Sequence, residues 1–149
     1  MAGNIFVANT TAESLLASSS EKTLIRLTAP SSHTVLIKEW GIFFDGVSVT
    51  AEPVLVKFCV DTTAETGMTT HTPIKRAGRI TASQCVVQTL GTSSAINSSG
   101  IYAIREVHPQ SGYQEKFSFG DEIEITGTMS LHVSSPSSVN VIAEIVYSE

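Results

Sequence analysis

Short apolar runs recur along the chain, and several of them alternate apolar and polar residues with a period of two. In residues 54–61, Val54, Val56 and Phe58 share one side, and Lys57 lies on the other. Residues 129–134 and 139–147 alternate in the same way. Because successive side chains of a strand point to opposite faces of a sheet, this period predicts half-buried β-strands.

Residues 34–45 differ from these runs because they are apolar on both faces, which is typical of a central strand covered on two sides. Period-two spacing places Trp40 on the same face as Leu36 and Ile42, and therefore predicts that Trp40 belongs to the core rather than to an exposed binding surface. Asp45-Gly46 follows; both residues tolerate positive φ, so this pair predicts a two-residue hairpin turn.

Turn residues separate the runs, and no segment shows a helical period with caps. The pattern predicts an all-β fold: an antiparallel β-sandwich, jelly-roll-like, with about eight to ten strands. An immunoglobulin sandwich is disfavoured because Trp40 precedes both cysteines. Residues 62–72 are rich in threonine and show no period, so we expect a long loop there.

The composition supports this fold class and excludes several functions. Val and Ile number 27 against 8 Leu, and β-branched residues suit strands. Charged residues are only 15% of the chain, while 20 Ser and 17 Thr supply much of its polarity. The net charge of −5 disfavours nucleic acid as a partner, because phosphate binding needs clustered cations.

No apolar run approaches the roughly 20 residues needed to cross a bilayer, so we expect no membrane partner. The first residues lack the basic start and apolar core of a signal peptide, which predicts synthesis in the cytoplasm without classical export. Cys59 and Cys85 each lie in an apolar run, so they are expected to be buried free thiols, with one disulfide as the alternative.

We interpret residues 21–149 as a single domain and residues 1–20 as an extended N-terminal arm, although residues 12–20 also suit a helical turn. The arm is short of charge and has little core of its own to join, so it is expected to add to the edge of a neighbouring sheet. Arg76 and Arg79 suit either a solvated loop or contact with an acidic protein neighbour. The predicted partner-binding residues are Ile5, Phe6, Val7, Leu15, Leu16, Arg76 and Arg79.

Residues 107–125 gather a histidine, a tyrosine, a lysine and several carboxylates, which suits either a reactive site or the polar side of β-strands. Period two places Glu122 and Glu124 on the face opposite Ile123, and Gly120-Asp121 supplies a turn, so we predict a strand pair. The four histidines form no close pair, and no known catalytic motif occurs. We therefore predict no catalytic residue, metal or cofactor.

Three strings carry a resemblance to a known family. They are IYAIREVHP and FSFGDEI in the C-terminal half, with the final run SSVNVIAEIVYSE, and the WGIFFDG and AEPVLV runs add to them. The chain resembles the jelly-roll cement or decoration proteins of tailed bacteriophages over roughly residues 35–149. This resemblance implies a homotrimer that binds the major capsid protein on the outer surface of the virion after assembly in the host cytoplasm, with no enzymatic activity.

Two other functions stay open on the residues alone. A carbohydrate- or receptor-binding jelly roll, as in a phage tail or a lectin, would use exposed aromatic residues beside polar ones. The pair Tyr113 and Glu115, or Tyr102, are the candidates for such a site. An enzyme is the remaining alternative.

Overall fold

The computed structural model describes residues 3–17, 20–45, 52–62, 66–80, 82–91 and 98–149. These residues form thirteen β-strands and no helix. The strands are β1 (Ile5–Asn9), β2 (Ser14–Leu16), β3 (Ser20–Thr28), β4 (Val35–Phe44), β5 (Val54–Asp61), β6 (Thr69–His71), β7 (Ile74–Ala77), β8 (Val86–Thr89), β9 (Ser98–Val107), β10 (Tyr113–Lys116), β11 (Ile123–Ile125), β12 (Thr128–Ser135) and β13 (Val139–Ser148).

The strands build two antiparallel sheets. Sheet 1 has the order β10-β4-β13-β1-β7, with β11 also paired to β4 and β2 also paired to β13. Sheet 2 has the order β6-β8-β3-β12-β5-β9. Both β10 and β11 run along the same edge of β4, and both β1 and β2 run along β13, so each couple acts as one interrupted strand.

The strand order is that of a jelly roll. In sheet 1, β13 lies between β4 and the couple β1/β2; in sheet 2, β12 lies between β5 and β3. The chain leads from β2 to β3, from β4 to β5 and from β12 to β13. Strands that are neighbours in one sheet are therefore connected to strands that are neighbours in the other, as two Greek keys wrapped into a sandwich require. The predicted all-β antiparallel sandwich is confirmed. The strand count exceeds the expected number because two strands of sheet 1 are interrupted and because β6, β7 and β8 are short additions.

The core lies between the two sheets, where the predicted alternation is confirmed. Val54, Val56 and Phe58 of β5 are buried, as are the apolar residues of β12 and the inward series of β13. Trp40 is fully buried and packs against Phe58 at a ring-centroid distance of 5.0 Å. Trp40 is thus a core residue, as the sequence predicts.

A β-bulge in β4 changes the predicted facing of one residue. Tyr147 pairs with Ile37 and Val146 with Glu39, so Lys38 is an extra residue between them. The alternation therefore changes phase at this point, and Ile37 is fully buried while Leu36 is only half-buried. The placement of Leu36 on the face of Trp40 is wrong because period two does not continue through a bulge.

The N-terminal segment belongs to the chain's own sheet. β1 lies between β13 and β7, and β2 pairs with β13 at Val139 to Val141. Phe6 and Leu16 are fully buried, and Phe6 stacks on Tyr147 at 5.9 Å. The expectation that this segment has little core of its own to join is therefore wrong, because β13 supplies both its hydrogen bonds and its packing.

Other segments also differ from the sequence prediction. Residues 69–71, expected in a loop, form β6, and Arg76 lies in the edge strand β7 rather than in a loop. Gly46 of the predicted hairpin turn lies outside the described residues. Within the described part, no helix is long and apolar enough to span a membrane.

Candidate functional site

The polar stretch at residues 107–125 forms one edge of sheet 1. β10 and β11 do not form a hairpin with each other, because both pair with β4 in succession. A turn separates them, in which the amide of Asp121 donates to the carbonyl of Ser118 at 2.9 Å. The prediction that these two strands pair with each other is therefore wrong, although both do form edge strands.

The carboxylates of this stretch have internal partners or face solvent. Glu122 accepts from Lys38 Nζ at 2.6 Å and from the amide of Gly120 at 2.5 Å. The hydrogen bond from Lys38 is the main reason why the pKa of Glu122 lies below its ordinary value. Glu124 is exposed, and so is His108, whose Nδ1 accepts from the amide of Gln110 at 3.2 Å. These groups do not converge on one point.

Glu115 links the two sheets rather than facing a ligand. Its carboxylate accepts from Arg105 of β9 at 3.0 Å and from Trp40 Nε1 at 3.1 Å. Tyr113 packs on Trp40 at a centroid distance of 5.2 Å. Tyr113 and Glu115 therefore hold the sandwich edge together in this structure, and of the sugar-site candidates Tyr102 is the one with a clearly exposed side chain.

Glu39 of β4 has polar partners from two other strands, β10 and β7, on the outer face of sheet 1. Gln114 donates to it, and Lys116 Nζ lies 3.7 Å from its carboxylate. Arg76 of β7 reaches the same carboxylate at 3.9 Å while its own side chain is 55% exposed. Arg76 thus has an acidic partner within the chain, and Arg79 is exposed.

Of the hydrophobic partner-binding candidates that stay accessible, Leu15 is the most exposed, at 61%. Ile5 and Val7 are half-buried on the strand β1. Phe6 and Leu16 cannot contact a partner in this structure, because both are fully buried in the core.

A closed polar cluster lies on the outer face of sheet 2. Arg26 Nε donates to Asp61 Oδ2 at 2.6 Å, and Ser130 Oγ donates to the same oxygen at 2.6 Å. The exposed fractions of the two charged side chains are 16% for Arg26 and 5% for Asp61. Nearby, His132 Nδ1 lies 3.0 Å from the hydroxyl of Thr23.

His132 is buried, and its Nε2 has no hydrogen-bond partner among the described residues. Desolvation lowers the pKa of His132 to about 4, against an opposing pull from the charge of Asp61. The ring is therefore neutral at pH 7, and it serves the packing of this face rather than proton transfer.

Both cysteines are free and buried, as predicted. Cys85 Sγ donates to Glu149 Oε2 at 3.2 Å, and burial raises the pKa of the Cys85 thiol to about 12. The Ser83 and Tyr147 hydroxyls bond to each other at 2.7 Å beside it. A thiol with such a pKa is not a nucleophile at neutral pH. Among the described residues, no group of three His, Cys, Asp or Glu could hold a metal ion.

The most exposed large apolar side chain of the described residues is Phe119, at 97%. It lies in the turn between β10 and β11, where Gly120 has φ 94°. A second exposed group lies on β9, the edge strand of sheet 2: Ile101, Tyr102 and Ile104 are 53%, 41% and 50% exposed. The sequence gives no signal for Phe119, because FSFGDE reads equally well as the end of a strand.

A shallow cavity of about 190 Å³, which we call the Phe43 cavity, opens on the outer face of sheet 1. It lies where β1 ends and the chain leaves the β13 ladder before β2 begins. Its lining residues are Asn9, Thr11, Phe43, Ile142, Ala143 and Glu144. Sequence reasoning misses this site because its walls come from three strands that are distant along the chain.

The chain matches no known family model, no curated protein and no solved structure.

Proposed function

We propose that the chain is a structural protein of a virion: a jelly-roll cement or decoration protein that binds the major capsid protein lattice of a tailed phage. The observation that carries the proposal is Phe119, a nearly fully exposed aromatic side chain on a well-fixed turn. The resemblance of the sequence to phage decoration proteins supplies the kind of partner.

The turn that bears Phe119 is fixed from both sides. The Ser118–Asp121 hydrogen bond closes it, and Glu122 holds the amide of Gly120 while pairing with Lys38 of β4. Gly120 adopts positive φ, which glycine does without strain. The backbone that carries the exposed ring is thus fixed, and burial of the ring in a partner's pocket would contribute about 2–3 kcal/mol. Aromatic anchors of this kind dominate many protein interfaces.

The edge strand β9 adds a second surface that suits contact with another protein. Ile101, Tyr102 and Ile104 give this strand an apolar side in a protein whose surface is otherwise rich in hydroxyls. Exposed apolar edge strands favour pairing with other chains. Glu115 and Glu122 of the β10–β11 edge form ion pairs with Arg105 and Lys38 of other strands, so contact surfaces rather than a reactive group support the proposal.

Binding to phage heads that lack this chain tests the proposal. Wild-type protein should co-sediment with the heads to saturation, and light scattering should show a homotrimer. The variant Phe119→Ser should bind at least about tenfold more weakly, because a central aromatic anchor contributes more than about 1.4 kcal/mol. Val86→Ser is the matched control, because Val86 is also an exposed apolar residue but lies on β8, away from the turn. Heads that do not bind the wild-type protein would refute the proposal.

A further inference from the structure

The ring of Phe43 lies over the backbone of Gly41. A Cβ atom placed on Gly41 would lie 2.8 Å from Phe43 Cζ and 2.9 Å from Cε2, and one on Gly112 would lie 3.3 Å from Cδ1. Only residues without side chains leave room for the ring in this position. The ring is thus supported from below by main chain, while 37% of Phe43 stays exposed. It forms an aromatic platform on the outer face of sheet 1.

Two polar side chains lie beside this platform in one row across the sheet. Glu144 of β13 pairs with Gly41 of β4 on one side and with Asn9 of β1 on the other. The row therefore runs from the covered Gly41 through Glu144 to Asn9. Because directly opposite residues of neighbouring strands are only about 5 Å apart, a carboxylate and an amide border the ring of Phe43.

Both polar side chains have hydrogen-bonding groups that no described residue uses. Glu144 is half-buried, and its carboxylate makes no hydrogen bond or ion pair with any described residue. Asn9 Oδ1 accepts from the amide of Thr11 at 3.0 Å, which fixes the side chain and leaves its NH₂ group as a donor. Partly buried polar groups without protein partners are satisfied by water or by a ligand.

The third wall is an interruption of the β1–β2 strand. Thr10 is fully buried and bonds to Ala143 of β13 in place of the regular strand pairing. Its amide donates to the carbonyl of Ala143 at 3.0 Å, and its hydroxyl accepts from the Ala143 amide at 3.3 Å. Thr11 then adopts φ 61°, an uncommon conformation for a β-branched residue. Strain of this kind concentrates at binding sites.

We propose that the Phe43 cavity binds one sugar residue of a carbohydrate chain. Its volume of about 190 Å³ lies below the roughly 300–1,000 Å³ of pockets for drug-sized ligands, which suits one pyranose ring but not a longer oligosaccharide. The apolar C–H face of the sugar packs on the ring of Phe43. One hydroxyl donates to Glu144, and another accepts from the NH₂ group of Asn9. This site is separate from Phe119 and does not rest on the proposed capsid role.

A titration followed by ¹H–¹⁵N correlation spectra tests the proposal. The probes are the methyl glycosides of glucose, galactose, mannose, N-acetylglucosamine and rhamnose, with choline as a cationic probe. At least one glycoside should shift the amide signals of Asn9, Ile142 and Glu144, with a dissociation constant on the order of 1 mM, as expected for a ligand of this size. Choline is the alternative occupant, because an aromatic ring and a carboxylate also suit a quaternary ammonium group.

Variants separate the site from an unspecific effect. Phe43→Ala and Glu144→Gln should each weaken binding of that glycoside at least about fivefold while the remaining spectrum keeps the pattern of the folded protein. Phe119→Ser, which changes an exposed aromatic residue elsewhere, should bind like the wild type. The proposal is overturned if no glycoside shifts these signals, if choline alone does, or if both cavity variants bind with unchanged affinity.

Discussion

The outer faces of the two sheets carry similar polar groups, but these groups differ in their hydrogen-bond partners. On sheet 2, Asp61 is enclosed by Arg26 and Ser130, and little of its side chain meets solvent. On sheet 1, Glu144 and Asn9 lie side by side next to an aromatic ring, and the carboxylate has no partner among the described residues. Polar groups that satisfy one another stabilise the fold, whereas those left with spare capacity are available to a ligand.

The largest expected effect comes from opening the closed cluster. Asp61→Ala leaves Arg26 and the Ser130 hydroxyl without their shared acceptor. Breaking a buried ion pair on one side costs about 3–5 kcal/mol, and because Arg26 is partly exposed we expect about 3 kcal/mol. Urea denaturation at pH 7 measures this loss. Asp121→Ala, at an exposed turn position, should stay within about 0.5 kcal/mol.

If Asp61→Ala costs less than about 1 kcal/mol, solvent screens the ion pair and the polar groups of this face are not closed off from water. The difference between the two faces would then be one of packing rather than of polar satisfaction.

His132 makes the closed face sensitive to acid. Above pH 6.5 the ring is neutral in both folded and unfolded chains, so its effect on stability is absent. Between pH 6.5 and about pH 4, His132 is protonated in the unfolded chain but stays neutral in the folded chain, because burial lowers its pKa. The free energy of unfolding should therefore fall by about 3 kcal/mol between pH 6.5 and pH 4.

The comparison with His132→Asn isolates this contribution. Asparagine keeps a polar atom close to the position of Nδ1, near the hydroxyl of Thr23, but does not titrate. Urea midpoints measured from pH 4 to pH 7 should show a weaker pH dependence for the variant. Parallel curves for the two proteins would mean that the pKa of His132 is the same in the folded and unfolded chains.

The core and the outer faces differ in how far the sequence predicts them. The inward residues of β5 and β12 follow period two, so core positions such as Val54, Phe58 and Leu131 could be predicted from the sequence. The bulge at Lys38 could not, because it depends on the register between β4 and β13. The Phe43 cavity could not either, since its ring, carboxylate and amide come from strands more than thirty residues apart, and each of these residues looks ordinary in its own strand.

A substitution at the rim of the Phe43 cavity should change stability by a smaller amount and in the opposite direction, as a gain. Thr11 has φ 61°, which glycine adopts readily, so Thr11→Gly relieves about 1–2 kcal/mol of strain and costs about 1 kcal/mol of backbone entropy. We expect a net gain in stability of up to about 1 kcal/mol, seen as a raised melting temperature. Ala12→Gly, at a neighbouring position that does not have positive φ, should instead lose about 0.5–1 kcal/mol.

The smallest expected effect on stability falls on Glu144. Because its carboxylate contacts no cation or donor among the described residues, Glu144→Gln should leave the free energy of unfolding within about 0.5 kcal/mol of the wild-type value. The matching change on the closed face, Asp61→Asn, removes the charge that faces Arg26 and should cost clearly more. Urea denaturation of both variants at the same pH compares the faces directly. Equal losses would mean that the carboxylate of Glu144 is structural, and the open face would then be no more available to a ligand than the closed one.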